Sequence, residues 1–78
     1  MKYIVHEIPG KPLTVFLFAD HVKHDEISKA LPGEPVSAGF VDILTNGEVV
    51  IYGSSVSLNL SSQPDDALYI KVALGRQL

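Results

Sequence analysis

The 78-residue chain predicts an α+β fold, an antiparallel sheet of about five strands with two short helices in the order ββαβββα. Three observations predict it. Asn46-Gly47 sits between two apolar, β-rich runs, the strongest short-range signal of a hairpin. Residues 2–8 and 13–19 are rich in β-branched and aromatic side chains and flank Pro9-Gly10, which reads as a second antiparallel pair. Residues 20–30 and 62–76 each carry helix start and stop signals at their ends.

The first pair is Lys2 to Ile8 (KYIVHEI) and Leu13 to Ala19 (LTVFLFA). Pro-Gly suits a type II turn, whose twist fits a tight hairpin poorly, so a loop of about four residues is expected. Asp20 to Ala30 (DHVKHDEISKA) predicts the first helix, with Asp20 capping, Lys29 in the last turn and Leu31-Pro32-Gly33 as the stop. At 100° per residue Asp20, Lys23, His24, Ile27, Ala30 and Leu31 share one side. That stripe is weakly apolar, so packing onto the sheet must hold so short a helix.

Val36 to Leu44 and Glu48 to Tyr52 predict the second hairpin, with Asn46-Gly47 supplying the two positive φ values of a type I′ turn. Gly39, inside the first of these strands, marks a bulge or a close backbone approach. Val56, Leu58 and Leu60 alternate with Ser57, Asn59 and Ser61, the period of a strand buried on one face. Gly53-Ser54-Ser55 then becomes the turn into that strand, and Ser62-Gln63-Pro64-Asp65 fits an S-x-x-D helix start. Ala67 to Leu74 (ALYIKVAL) satisfies both periods. As a helix it puts Ala67, Ile70 and Leu74 on one face and Leu68 and Val72 nearly opposite; as a strand it aligns Leu68, Ile70, Val72 and Leu74. Proline and two acids before it, and Gly75 with Arg76 after it, favour the helix.

Composition excludes several classes of function. One domain is all that 78 residues can make, and so short a chain has a thin core. The absence of cysteine removes disulfides and thiolate metal sites, which suits a reducing compartment. The longest apolar run, Val15 to Ala19, is far below the ~20 residues of a membrane span, so a soluble, cytoplasmic protein is expected. Its net charge is −3, and Lys2, Lys11, Lys23, Lys29, Lys71 and Arg76 are scattered singly. Nucleic-acid binding normally needs a clustered basic footprint, so neither nucleic acid nor a membrane is an expected partner.

No constellation assembles a reaction. Gly53-Ser54-Ser55-Val56-Ser57 lacks the second glycine of a G-x-S-x-G elbow and precedes a strand rather than a helix. Ser61 and Ser62 at a helix start would face an anion, but Asp65 and Asp66 already supply negative charge there. Asp20 with His24, and His21 with Asp25, are spaced i,i+4 and could each chelate a metal. Zinc takes three or four protein ligands, and only His6 offers itself as a third. The plainer reading leaves His21 and Asp25 solvated and packs His24 beside Ile27. No catalytic residue, metal ligand or cofactor is therefore assigned.

The apolar content points elsewhere. Hydrophobic residues make up 46% of the chain, and mean hydropathy is +0.23. Leu13, Val15 and Leu17 lie on one face of the second strand and Phe16 and Phe18 on the other, while Val49 and Ile51 oppose Val50 and Tyr52. A sheet with helices on one side normally shows a polar outer face. Either helices cover both faces, or a second copy of the chain covers one. The expectation is a non-catalytic binding or regulatory accessory module that forms a homodimer through Leu68, Val72, Phe16 and Phe18. The alternative is a metal- or small-ligand-dependent activity around His21, His24 and His6.

The segment Gly53-Ser54-Ser55-Val56-Ser57-Leu58, followed by Ser62-Gln63-Pro64-Asp65, resembles one in small uncharacterised bacterial or phage-encoded proteins. No function attaches to that segment, so the resemblance implies no chemistry.

Overall fold

The computed structural model describes residues 1–75. Its strands are β1 (Lys2–Glu7), β2 (Thr14–Phe18), β3 (Glu34–Ile43), β4 (Val49–Tyr52), β5 (Ser54–Ser55) and β6 (Leu60–Ser61); its helices are α1 (His24–Ala30) and α2 (Asp66–Gly75). Four strands form one antiparallel sheet in the order β2-β1-β3-β4, and β5 and β6 pair separately. The fold is α+β as expected, with a miniature hairpin in place of the fifth strand. No helix among the described residues is long and apolar enough to cross a membrane.

Alternation along the strands sorts their side chains onto two faces. On the first, Tyr3, Val5 and Val41 are buried against Ile70 of α2, with Val15, Leu17, Val49, Ile51, Tyr69 and Leu74 packed around them. On the second, His24 of α1 sits edge-on to Phe18 and Phe40, Phe40 stacks on Tyr52, and His6 meets the edge of Phe16. The sheet thus carries one helix on each face. That arrangement explains why its strands are apolar on both sides.

Several local expectations need correction. The β1–β2 connection runs over residues 8–13 rather than four. Lys11 N–H donates to Ile8 O at 3.0 Å with Gly10 at φ +79°, a type II turn. Pro9 and Pro12 have no N–H for a ladder, so pairing resumes only at Thr14 opposite His6. Helix α1 begins at His24, not Asp20. Residues 19–22 close a turn through Val22 N–H to Ala19 O, and Asp20 bonds the Met1 amino group at 2.9 Å instead of capping.

The β3–β4 hairpin forms, but its turn is not type I′. Gly47 alone takes a left-handed conformation there (φ +87°); its N–H donates to Leu44 O, and Leu44 N–H donates to Glu48 O. Three residues, Thr45 to Gly47, make the loop. Register decides this, because Ile43 pairs with Val49 and Val41 with Ile51. A two-residue loop on Asn46-Gly47 would shift β4 by one position and turn Val50 and Tyr52, instead of Val49 and Ile51, toward α2.

Gly39 marks a close approach rather than the bulge: a Cβ there would lie 2.8 Å from Tyr52 O and 3.2 Å from Ser62 Cβ. The irregularity comes earlier, where Val5 pairs with Ser37 but His6 pairs with Pro35. Val36 is the extra residue.

Of the strand expected over residues 56–61, residues 56–59 form a turn and only Leu60–Ser61 is a strand, β6. Val56 is 93% exposed, Asn59 N–H donates to Val56 O, and Asn59 adopts φ +54°. Ser55 Oγ accepts the Leu58 N–H at 3.3 Å, so a side chain competes successfully with the ladder. Ser57 consequently lies on the turn, not on a strand face. Ser62 is not the cap of α2 either: its N–H and its hydroxyl both go to Gly53 O. Asp66 reaches back to the Gln63 N–H at 2.9 Å, the acidic half of a capping box one residue later than expected. Ala67 to Leu74 is helical, with Ile70 buried and Leu68 and Val72 exposed, as the helical reading required. Arg76, expected to close α2, lies outside the described residues.

Candidate functional site

Strand β2 has β1 on one side and no strand on the other. Its sequence, TVFLF, contains no charge, proline or glycine. Edge strands are normally blunted by such residues, because their unpaired N–H and C=O groups invite another strand. Here the nearest blunting residues, Pro12 before the strand and Asp20 after it, both lie outside it.

Beside this edge an apolar groove of about 380 Å³ runs between β2 and α2, walled by Leu13, Thr14, Val15, Tyr69 and Val72. Val72 is 48% exposed, and Leu68, one turn earlier on α2, is 60% exposed. Phe16 and Phe18 lie on the other face of β2, half-buried against His6 and His24. Val72 therefore joins β2 in one groove, while Phe16 and Phe18 flank the same edge from behind. Leu13 and Tyr69 also belong to this surface. Their contribution depends on how α2 crosses the sheet, which no single periodicity encodes.

The groups weighed for chemistry are placed differently. His6 is fully buried; Nδ1–H donates to Pro32 O at 2.8 Å, and Nε2 shares a hydrogen bond with the Ser28 hydroxyl at 3.1 Å. Because a carbonyl oxygen only accepts, Nδ1 carries the hydrogen of the first contact. His24, also buried, donates Nε2–H to Gly39 O at 3.0 Å, and it packs between Phe18 and Phe40 rather than beside Ile27 alone. His21 is exposed. Among the described residues no group of three or more His, Cys, Asp or Glu is placed to hold a metal ion. Ser55 is buried and lines a cavity with His24, but no hydrogen bond joins them.

One buried carboxylate was legible only as a helix-start charge. Asp66 is 1% exposed and accepts from Tyr3 OH at 2.6 Å, Ser37 OH at 2.9 Å and Gln63 N–H at 2.9 Å. Burial, and next the Asp66 carboxylate, push the Tyr3 phenol well above its ordinary range. Among the described residues no cation pairs with it. Three donors suffice to hold a buried anion, and together they lock the start of α2 onto β1 and β3. Asp65, its neighbour, is exposed.

Comparison of this chain with protein-family models, with curated proteins and with solved structures finds no match.

Proposed function

We propose that this chain is a small non-catalytic binding module that works as a homodimer joined along the edge of β2. The observation that carries this reading is an edge strand without a protecting charge, beside an apolar groove. A second copy fits that edge on geometric grounds. Antiparallel pairing of two β2 strands about Phe16 sets Val15 opposite Leu17 and Thr14 opposite Phe18. Partners of equal parity lie on the same face, so the groove sides meet and the aromatic sides meet. Phe16 and Phe18 on β2 and Val72 in the groove would border such a junction, and Leu68 stands one turn before Val72 on α2. Binding rather than catalysis is favoured because His6 and Asp66 spend their polar atoms, and His24 its Nε2, on neighbours within the fold. A cytoplasmic setting suits a chain without cysteine.

Sedimentation velocity tests the proposal. Wild type at tens of micromolar is expected at twice 8.4 kDa, and Phe16→Lys, which puts a charge at the centre of the edge, is expected at the monomer mass. Val72→Glu is expected to shift the equilibrium in the same direction. A wild type that stays monomeric through 1 mM would sink the reading, as would a dimer indifferent to both substitutions.

A further inference from the structure

A second cavity, of about 230 Å³, lies on the α1 face of the sheet, away from the β2 edge. Four segments wall it: Lys2 from β1, Lys23 from the residue before α1, Phe40 from β3, and Ser54, Ser55 and Ser57 from β5 and its turn. Two of the chain's six basic residues thus converge on one small space. No carboxylate lines it, whereas the cavity beside Gln63 is walled by Asp65 and Asp66 and that beside Gly33 by Glu7 and Glu34.

Both ammonium groups lack a carboxylate partner, since the one ion pair among the described residues joins Met1 to Asp20. Lys2 is nevertheless held in place. Its Nζ donates to Val22 O at 3.0 Å and stands 5.8 Å from the centre of the Phe40 ring. Two of its three N–H groups remain for a ligand. Ser55 Oγ accepts the Leu58 N–H and lies 3.4 Å from Ser57 Oγ, which fixes the hydroxyl-bearing turn against the lysines. Ammonium and hydroxyl donors around a small space suit a compact, multiply accepting anion.

We infer that this cavity binds a phosphate group, either free or as a small phosphomonoester. The phosphate oxygens accept from Lys2, Lys23 and the hydroxyls of Ser54 and Ser57. The volume falls below the ~300–1,000 Å³ of sites for drug-sized ligands, so the rest of the ligand is a few atoms or none. Phe40 is already stacked on Tyr52 and covered by the Lys2 ammonium, and it offers no free face to a nucleobase.

The test is an amide-shift titration of the ¹⁵N-labelled chain with inorganic phosphate and, separately, glycerol 3-phosphate, at ionic strength held constant with sodium chloride. Saturable shifts centred on residues 54–57 and Lys23 are expected, with the midpoint raised about fivefold or more in Lys2→Met and in Lys23→Met. Lys23 and Ser54 are exposed, so Lys23→Met and Ser54→Ala decide the matter if Lys2→Met does not fold. Saturation by phosphate alone assigns free phosphate, and saturation by the ester as well assigns phosphomonoesters. Shifts that never saturate, midpoints unchanged in Lys23→Met, or equal binding of acetate would overturn the inference.

Discussion

Replacing Tyr3 with phenylalanine removes a single oxygen from the middle of the fold. That hydroxyl donates at 2.6 Å to Asp66 Oδ2, and both residues are shut off from solvent. Without it the carboxylate keeps Ser37 on Oδ1 and the Gln63 amide on Oδ2. A hydrogen bond to a charged group contributes about 1.5–3 kcal/mol. In a domain of this size each kcal/mol moves Tm by about 4–8 °C, so a loss of about 2 kcal/mol lowers Tm by about 8–16 °C. The alkaline limb adds a second signature. Burial first, and Asp66 second, hold the Tyr3 phenol above its usual 10.0. Once pH passes that value, the unfolded phenol ionises while the folded one keeps its proton. The folded state then binds more protons, and stability falls with rising pH by up to about 1.4 kcal/mol per unit. Below the unfolded value the contribution is fully present. Tyr3→Phe lacks this slope, so the two stability curves converge above pH ~10. Thermal unfolding followed by circular dichroism from pH 7 to 11 reads both effects. An unchanged Tm at pH 7, or parallel alkaline slopes, would refute the account of the Asp66 cluster.

Two further substitutions test the packing in the same way. Ile70→Ala, at a fully buried position of α2, should cost about 2–5 kcal/mol in urea unfolding, whereas Leu68→Ala, 60% exposed, should stay within about 0.5 kcal/mol at dilutions where copies are apart. The reverse order would mean that α2 presents its other side to the sheet. Gly39→Ala places a methyl 2.8 Å from the Tyr52 carbonyl oxygen, which forces β3 and the chain leaving β4 apart and should cost about 1–3 kcal/mol. A Gly39→Ala chain as stable as wild type would remove the close approach.

Element types were legible in the sequence wherever local chemistry and tertiary packing agree. Asn46-Gly47 announces a hairpin, and Ile70 against Leu68 and Val72 announces which way α2 faces, because both signals survive in the fold. Details went astray where a longer-range partner decides. The β3–β4 turn follows from keeping Val49 and Ile51 under α2, a demand set by residues far away in sequence. Asp20 has cap chemistry, yet residues 19–22 prefer a turn and the helix waits until His24. Val56, Leu58 and Leu60 alternate like a strand, but the Ser55 hydroxyl and the left-handed Asn59 fold residues 56–59 into a turn and leave only Leu60 on a strand. The burial of Asp66 was invisible because its donors come from β1, β3 and the loop before α2. At the candidate edge, Val72 and Phe16 follow from helical period and strand parity alone. That they flank the same strand required the topology.

One helix on each face also changes where a second copy can sit. Counted by faces, the apolar surplus suggests two sheets stacked on each other, but α1 and α2 already occupy those positions. Helix-to-helix packing through Leu68 and Val72 would reach α2 only and leave Phe16 and Phe18 untouched, since they lie across the sheet from it. Pairing along β2 reaches both sides at once. It gives the outward backbone groups of five residues a partner and closes the groove by Val72 without displacing either helix. A standard interface buries about 800 Å² per partner, about a sixth of the 4968 Å² that this chain exposes. Five strand residues alone do not reach that area. In the proposed dimer Leu13, Tyr69 and Val72 of the groove would have to enter the contact, so a charge at Val72, off the strand itself, is expected to weaken it as well as one at Phe16.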